Sequence, residues 1–270
     1  MFMRFFHRMA SPPYFYAISG RWLPWLAVVC LALILAGLYG GLVEAPADYQ
    51  QGDSFRIIYI HVPSAWMSLF IYVVMAVAGG IGLIWHIKLA EMVAVSSAPI
   101  GASFTFLALV TGSLWGKPMW GTWWVWDGRL TSELILLFLY LGVIALYGAI
   151  DDKRRAGRAA AILSLVGVVN IPIIHYSVEW WNTLHQGPTV TKFDKPSIDI
   201  SMLIPLLLMA AGFQLFYLIA LLLRLRSEIL ERERNSKWVM ALVSSENSPR
   251  RTEREAVPPD GGTVSREPLK

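Results

Sequence analysis

Cysteine is almost absent: Cys30 is the only one in 270 residues, and it lies inside an apolar run. That excludes a disulfide framework, an iron–sulfur ligand set and a C-x-x-C-H attachment motif on this chain. A Walker A sequence is missing as well, so any work that needs ATP falls to a partner. Charge is scarce, with Asp, Glu, Lys and Arg together at 16% against 56% hydrophobic residues. With a mean hydropathy of +0.51, this composition lies outside the range of an ordinary soluble domain. The alternating apolar and polar pattern of a transmembrane barrel is also missing.

Long apolar runs are abundant. A bilayer core needs about 20 apolar residues per helix, and six runs qualify, at about 22–43, 62–85, 92–114, 132–150, 158–177 and 202–224. Helices are how such segments satisfy their own backbone groups in lipid. The expected fold is all-α, a polytopic integral membrane protein with six transmembrane helices. An N-terminal arm at 1–21 precedes a membrane domain at 22–226, whose outer loops fall at about 44–61, 115–131 and 178–201. The first run is too long for a cleaved signal peptide and has no small-residue cleavage site after it, so it is expected to stay in the mature protein. From 227 to 270 the hydrophobicity collapses, which predicts a short amphipathic or helical extension and then a disordered tail. Asn170, Pro172 and Pro205 predict local kinks, and Gly79, Gly80 and Gly82 predict close helix packing.

Lysine and arginine set the expected orientation. Arg4, Arg8 and Arg21, then Lys153, Arg154, Arg155 and Arg158, then Arg224 and Arg226 mark cytoplasmic ends, which places both termini in the cytoplasm. The other loops carry Glu44, Asp48, Asp53, Asp127, Glu179, Asp194 and Asp199 and face outward. Anchoring charge accounts for a pI near 9.2 without nucleic-acid binding.

On the outward side, "WGKPMWGTWWVWDGRLTSE" places Trp115, Trp120, Trp123, Trp124 and Trp126 within twelve residues. Interfacial belts use tryptophan, and that suits Trp22, Trp25, Trp66 and Trp85. The five clustered indoles, interleaved with Gly116, Pro118, Gly121 and Gly128, read better as a shaped loop. Their faces would form a platform for a large planar apolar ligand, with a porphyrin the obvious candidate. Its iron would need axial ligands, usually histidine. His7 and His86 fall on the cytoplasmic side. His61, in "YIHVPSAW", and His185, in "SVEWWNTLHQGPTV", share the tryptophan side. A histidine near a helix end is more often a hydrogen-bonded structural residue, but two on the same face as an indole platform make a coherent six-coordinate site. His175, deeper in the fifth run, stays open as a weaker choice.

Basic side chains would meet the propionates, with Arg129, Arg56 and Lys117 available. Arg129 could equally pair with Asp127 or Glu133, and Arg56 and Lys117 could be solvated. Asp127 is open to two readings, as a base or iron-tuning partner and as a helix cap before "LTSELILLFLY". Glu133 suits the positive end of the helix dipole.

The tryptophan stretch is the signature called the WWD domain, and with "YIHVPSAW" and "SVEWWNTLHQGPTV" it resembles the CcmC family, the heme exporter proteins C of the cytochrome c maturation (system I) pathway. The resemblance covers about residues 14–226. It implies a multi-pass protein of the bacterial inner membrane that holds heme b as cargo at the periplasmic face and delivers it to the periplasmic heme chaperone CcmE. His61 and His185 match the family's axial ligands. Trp115, Trp120, Trp123, Trp124, Trp126 and Asp127 match its WWD segment, which contacts porphyrin and forms part of the chaperone docking surface. Implied companions are CcmD and the ATP-binding-cassette subunits CcmA and CcmB, with membrane lipid around them and no nucleic acid. The implied role is delivery, promoting covalent heme attachment to the chaperone, rather than enzymatic catalysis. Two alternatives stay open: a bis-histidine membrane electron-transfer cytochrome, and a heme transporter that works through the bundle.

Overall fold

The computed structural model of the chain describes residues 11–181, 183–185, 187, 190 and 195–247. Arg4, His7, Arg8, Asp194 and the part of the expected 227–270 extension and tail that follows Asn247 lie outside these residues. Helix α1 spans Pro12–Tyr39 and continues as a π-helical segment, Gly40–Glu44. A 3-10 turn, Asp53–Ile57, leads into α2, Ile58–Trp85. Then come α3, Lys88–Trp120, and α4, Gly128–Ala149. Next are α5, Lys153–Gly167, and α6, Asn170–Trp180, which together make the fifth span. Helix α7, Ile200–Arg232, completes six spans, and α8, Lys237–Asn247, belongs to a separate unit that begins at Glu233. Among the described residues the only extended pairing is a single bridge, Asp48 to Gly52. The chain is a multi-pass, all-helical membrane protein.

Several helices exceed their apolar runs. Four spans have 33 residues, about 50 Å of helix, against a hydrocarbon core of about 30 Å. Their ends therefore extend beyond it, where polar residues cost little. Half of the most apolar window of α2 is buried, and 61% of that of α3, against 17–33% for the other spans. These two pack along each other at the centre; α1 lies against α7, and α4 and α5 close the other flank. At Gly79 a side chain would meet Ala161 Cβ at 3.1 Å, the close α2–α5 approach expected of the small residues there. The fifth span breaks after Gly167 and restarts at Asn170, in the region where Asn170 and Pro172 predict a kink.

The tryptophan segment differs from its expected form. It is helical through Trp120 despite Gly116 and Pro118. Gly116 is the bed on which the Trp120 ring lies, since a Cβ there would sit 2.9 Å from Trp120 Cε3. Helix α3 stops at Gly121, whose φ of +75° and N–H donated to Lys117 O form a left-handed cap that favours glycine. Only the following residues, up to the start of α4, form the shaped loop.

Candidate functional site

The start of α2, the end of α3, the start of α4, part of α6 and the segment before α7 surround two joined cavities at one end of the bundle. The inner one is walled by His61, Trp115, Trp120, Trp124, Glu133 and His185, among others. Gln51, His61, Trp115, Arg129 and His185 also border the wider one, of about 760 Å³, a size suited to a cofactor-scale ligand.

His61 is held rigidly. It is 9% exposed, and its Nδ1 lies 3.1 Å from both Ala108 O and Thr111 Oγ1. The Thr111 hydroxyl donates to Leu107 O at 2.6 Å, so toward the imidazole it can only accept. A carbonyl also only accepts. Nδ1 therefore carries the proton and Nε2 keeps its lone pair, the arrangement a metal-ligating histidine needs. Gly112 makes room for the ring, because a Cβ there would approach His61 Cε1 at 3.0 Å. The His185 ring centre lies 6.4 Å from that of His61 at an interplanar angle of 39°. Trp115 meets His61 edge-on at 5.6 Å, and Trp120 lies 6.4 Å from His185.

The five clustered tryptophans separate into two groups. Trp115, Trp120 and Trp124 face the inner cavity. Trp115 is fixed by donating Nε1–H to Gln51 Oε1 at 2.9 Å. The Nε1 of Trp124 is buried without a partner among the described residues. Trp123 and Trp126 are exposed, at 54% and 78%, with Trp126 edge-on to Trp124. Lys117 stays outside the cavity, its Nζ 5.8 Å from the Trp123 ring centre.

The two arginines also separate. Arg129 borders both cavities and donates Nη1–H to Ile174 O at 2.8 Å. The alternative of pairing with Asp127 or Glu133 survives as a through-space attraction, since both carboxylates act on the guanidinium electrostatically while the Nη1 hydrogen bond goes to Ile174 O. Asp127 accepts from the Leu130 N–H at 2.8 Å as the cap of α4 and from the Thr183 hydroxyl. Glu133 is buried on the inner wall and accepts from Ser68 Oγ at 2.7 Å, beyond its expected role at the helix dipole. Arg56 turns away from both cavities: it donates to Asp53 Oδ1, Gly41 O and Ala45 O, each at 2.9 Å. Asp53 is near in sequence, but the Gly41 and Ala45 carbonyls are brought near only by the fold, which the spacing of charges along the chain did not reveal. His175 borders only the wider cavity, edge-on to Tyr176, and His86 caps the far end of α2. Gln51, Thr111 and Thr183 were not singled out from sequence. Only Thr183, two residues before His185, left a positional hint.

The model of the family described as "Heme exporter protein C", CcmC, matches residues 5–240. This chain belongs to the CcmC family. It is 58% identical to the heme exporter protein C of Escherichia coli strain K12 over 237 residues, covering 88% of this chain and 96% of that relative. Its identity with the heme exporter protein C of Haemophilus influenzae is 52% over 242 residues, 90% of this chain and 98% of the relative. A putative ccmC-like mitochondrial protein of cytochrome c biosynthesis from Marchantia polymorpha is 46% identical over 222 residues. The match to the family spans all six membrane helices.

Proposed function

We propose that this chain serves heme export for cytochrome c maturation, binding heme b between His61 and His185 at the periplasmic face of the inner membrane and handing it to the chaperone CcmE. The spacing of the two imidazoles carries this reading. A metal–imidazole bond of about 2.0 Å, plus roughly 1 Å from the nitrogen to the ring centre, sets trans imidazoles about 6 Å apart across one iron. The rings here are 6.4 Å apart, and the unprotonated Nε2 of His61 suits ligation. Trp115, Trp120 and Trp124 offer indole surface to the porphyrin. Arg129, with one N–H bonded to Ile174 O, and the unpartnered Trp124 Nε1–H are donors for a propionate. Arg56 fits better as a brace for the first loop.

Trp123 and Trp126, facing outward beside the cavity, suit the docking surface for CcmE, with Asp127 behind them. Ligation holds the iron while the wide mouth leaves a porphyrin edge within reach of the chaperone. The chain positions its cargo, and the porphyrin and chaperone supply the bond-forming groups. Lys153, Arg154, Arg155 and Arg158, at the other end of the bundle, support a cytoplasmic far end. CcmD, CcmA and CcmB would complete the export complex.

Visible spectra of the detergent-purified protein test this reading in wild type, His61→Ala, His185→Ala and His175→Ala, before and after adding apo-CcmE. The expected result is a six-coordinate, low-spin heme that is lost in the first two variants, kept in the third and surrendered to the chaperone. A spectrum indifferent to both His61 and His185 would overturn the ligand assignment. Heme retained against apo-chaperone would favour a bis-histidine electron-transfer cytochrome.

A further inference from the structure

Asp127, Gly128 and Arg129, the cap and first residues of α4, touch α6 or the segment that leads from it to His185 at each of the three positions. Thr183 donates its hydroxyl to Asp127 Oδ2. A side chain on Gly128 would meet Trp181 Cε3 at 3.0 Å, so Trp181 lies against bare backbone. Arg129 Nη1 donates to Ile174 O at 2.8 Å. Thr183 Oγ1 in turn accepts the backbone N–H of His185 at 3.1 Å. The other Asp127 oxygen accepts from Leu130 N at 2.8 Å in the first turn of α4. An unbroken chain of hydrogen bonds thus runs from a membrane helix, through one carboxylate and one hydroxyl, to the backbone of His185.

We propose that the Asp-Gly-Arg turn is a latch that sets the position of His185 opposite His61, with Asp127 and Thr183 as positioning residues. The inference rests on the bis-histidine reading of the cavity. His61 needs no such device, because it sits on α2 with Nδ1 held by two acceptors. His185 follows the end of α6 at Trp180, and residues 183–185 form no helix. No helix of its own fixes it, so a contact that ties this segment to another element bears directly on its placement. Sites of this kind tolerate errors of about 0.5 Å, and loss of a partner behind a ligand typically weakens metal binding about 10–100-fold. Helix α4 is a suitable anchor because it also supplies Arg129 and Glu133 to the cavity wall.

Asp127 as a helix cap alone makes a different forecast. Asparagine caps as well as aspartate, and valine at 183 leaves the cap untouched. Neither Asp127→Asn nor Thr183→Val would then affect the heme.

The test uses the full-length protein in detergent, loaded with heme, in Thr183→Val, Thr183→Ser, Asp127→Asn and His185→Ala forms. The latch predicts that Thr183→Val loses heme about tenfold more readily and moves part of the spectrum from six-coordinate low-spin to five-coordinate high-spin. Thr183→Ser, which keeps the hydroxyl, restores the wild-type spectrum at an unchanged melting temperature. Asp127→Asn falls between them and gives the same readout should Thr183→Val misfold. Wild-type spectra and retention in both Thr183→Val and Asp127→Asn, alongside a changed His185→Ala spectrum, would overturn the latch alone. A His185→Ala spectrum identical to wild type would overturn the bis-histidine reading and the latch with it.

Discussion

The two ends of the bundle differ in the kinds of polar group they gather. Away from the cavity, Arg232 lies 2.7 Å from Glu228 and 3.7 Å from Glu91. Tyr147 donates to Glu228 at 2.6 Å and accepts from Arg232 at 3.0 Å. Arg226 donates to Tyr16 O and covers the Tyr16 ring at 3.7 Å. A groove of about 420 Å³ opens there between α3, α4 and α7, but its lining contains neither histidine nor tryptophan. At the His61 end, by contrast, the Trp124 N–H has no partner among the described residues, and the lone pair of His61 Nε2 faces away from its two helix contacts. Polar groups that satisfy one another hold helices together, whereas buried groups with spare capacity need an explanation, and beside this cavity the proposed heme would supply one.

Exchanging one residue at each end gives the strongest test. His61→Ala should lower heme retention by about a hundredfold or more, since the proposed axial ligand is removed, while the heme-free protein should melt at a temperature closer to wild type than Arg232→Ala does. Arg232→Ala should do the reverse. It leaves Glu91 and Glu228 without their shared cation, a loss on the order of 3 kcal/mol, while the heme spectrum stays as in wild type. Thermal melts and absorbance on the same samples check both, and a variant that moved both readouts together would break the comparison.

Within the cavity end, the tryptophans sharpen it. Trp120→Ala removes an inner indole facing His185 and should cost about tenfold in heme retention. Trp126→Ala, at 78% exposure, should change retention less than twofold and show itself in slower transfer to apo-CcmE. Gly112→Ala places a methyl 3.0 Å from His61 Cε1. It should weaken retention severalfold by tilting the ring, which a heme titration would detect.

Much of the architecture was legible in the sequence, because a lipid core demands long apolar runs and this chain has six. Grouping His61, His185 and the tryptophans on one side was legible from the alternation of spans and loops. Harder to read was the division of five similar indoles into three facing inward and two facing outward, because beyond the cap at Gly121 the loop turns Trp124 inward between the exposed Trp123 and Trp126. Helix ends were blurred because Gly116 and Pro118, ordinarily loop residues, are accommodated here by the Trp120 ring and the last turn. The contrast between Arg56 and Arg129 depends on carbonyl acceptors at Gly41, Ala45 and Ile174, and no charge pattern reveals a backbone acceptor that only the fold brings near. The bonds by which Thr183 reaches Asp127 and Gln51 reaches Trp115 span 56 and 64 residues, beyond the reach of any local motif.

The smallest expected effect lies on the rim. Asp199 borders the wider cavity and by position alone would join the groups available to a guest. One of its oxygens, however, serves the local turn: Oδ1 accepts from the Ser201 N–H at 2.9 Å and from the Ser201 hydroxyl at 2.6 Å. These bonds favour the ionised form and hold its pKa below the usual carboxylate value. A depressed carboxylate pKa supports the fold above its unfolded value, and the support fades as pH falls through the lowered one. The start of α7 should therefore keep its amide protection at mildly acidic pH and lose it only in stronger acid. Ser201→Ala should shift that loss to higher pH in hydrogen exchange. Neither Ser201→Ala nor Asp199→Asn should alter heme retention at neutral pH, because Asp199 bonds its own neighbour Ser201 through Oδ1 and, as an anion, offers a propionate nothing, even though it sits beside the cavity.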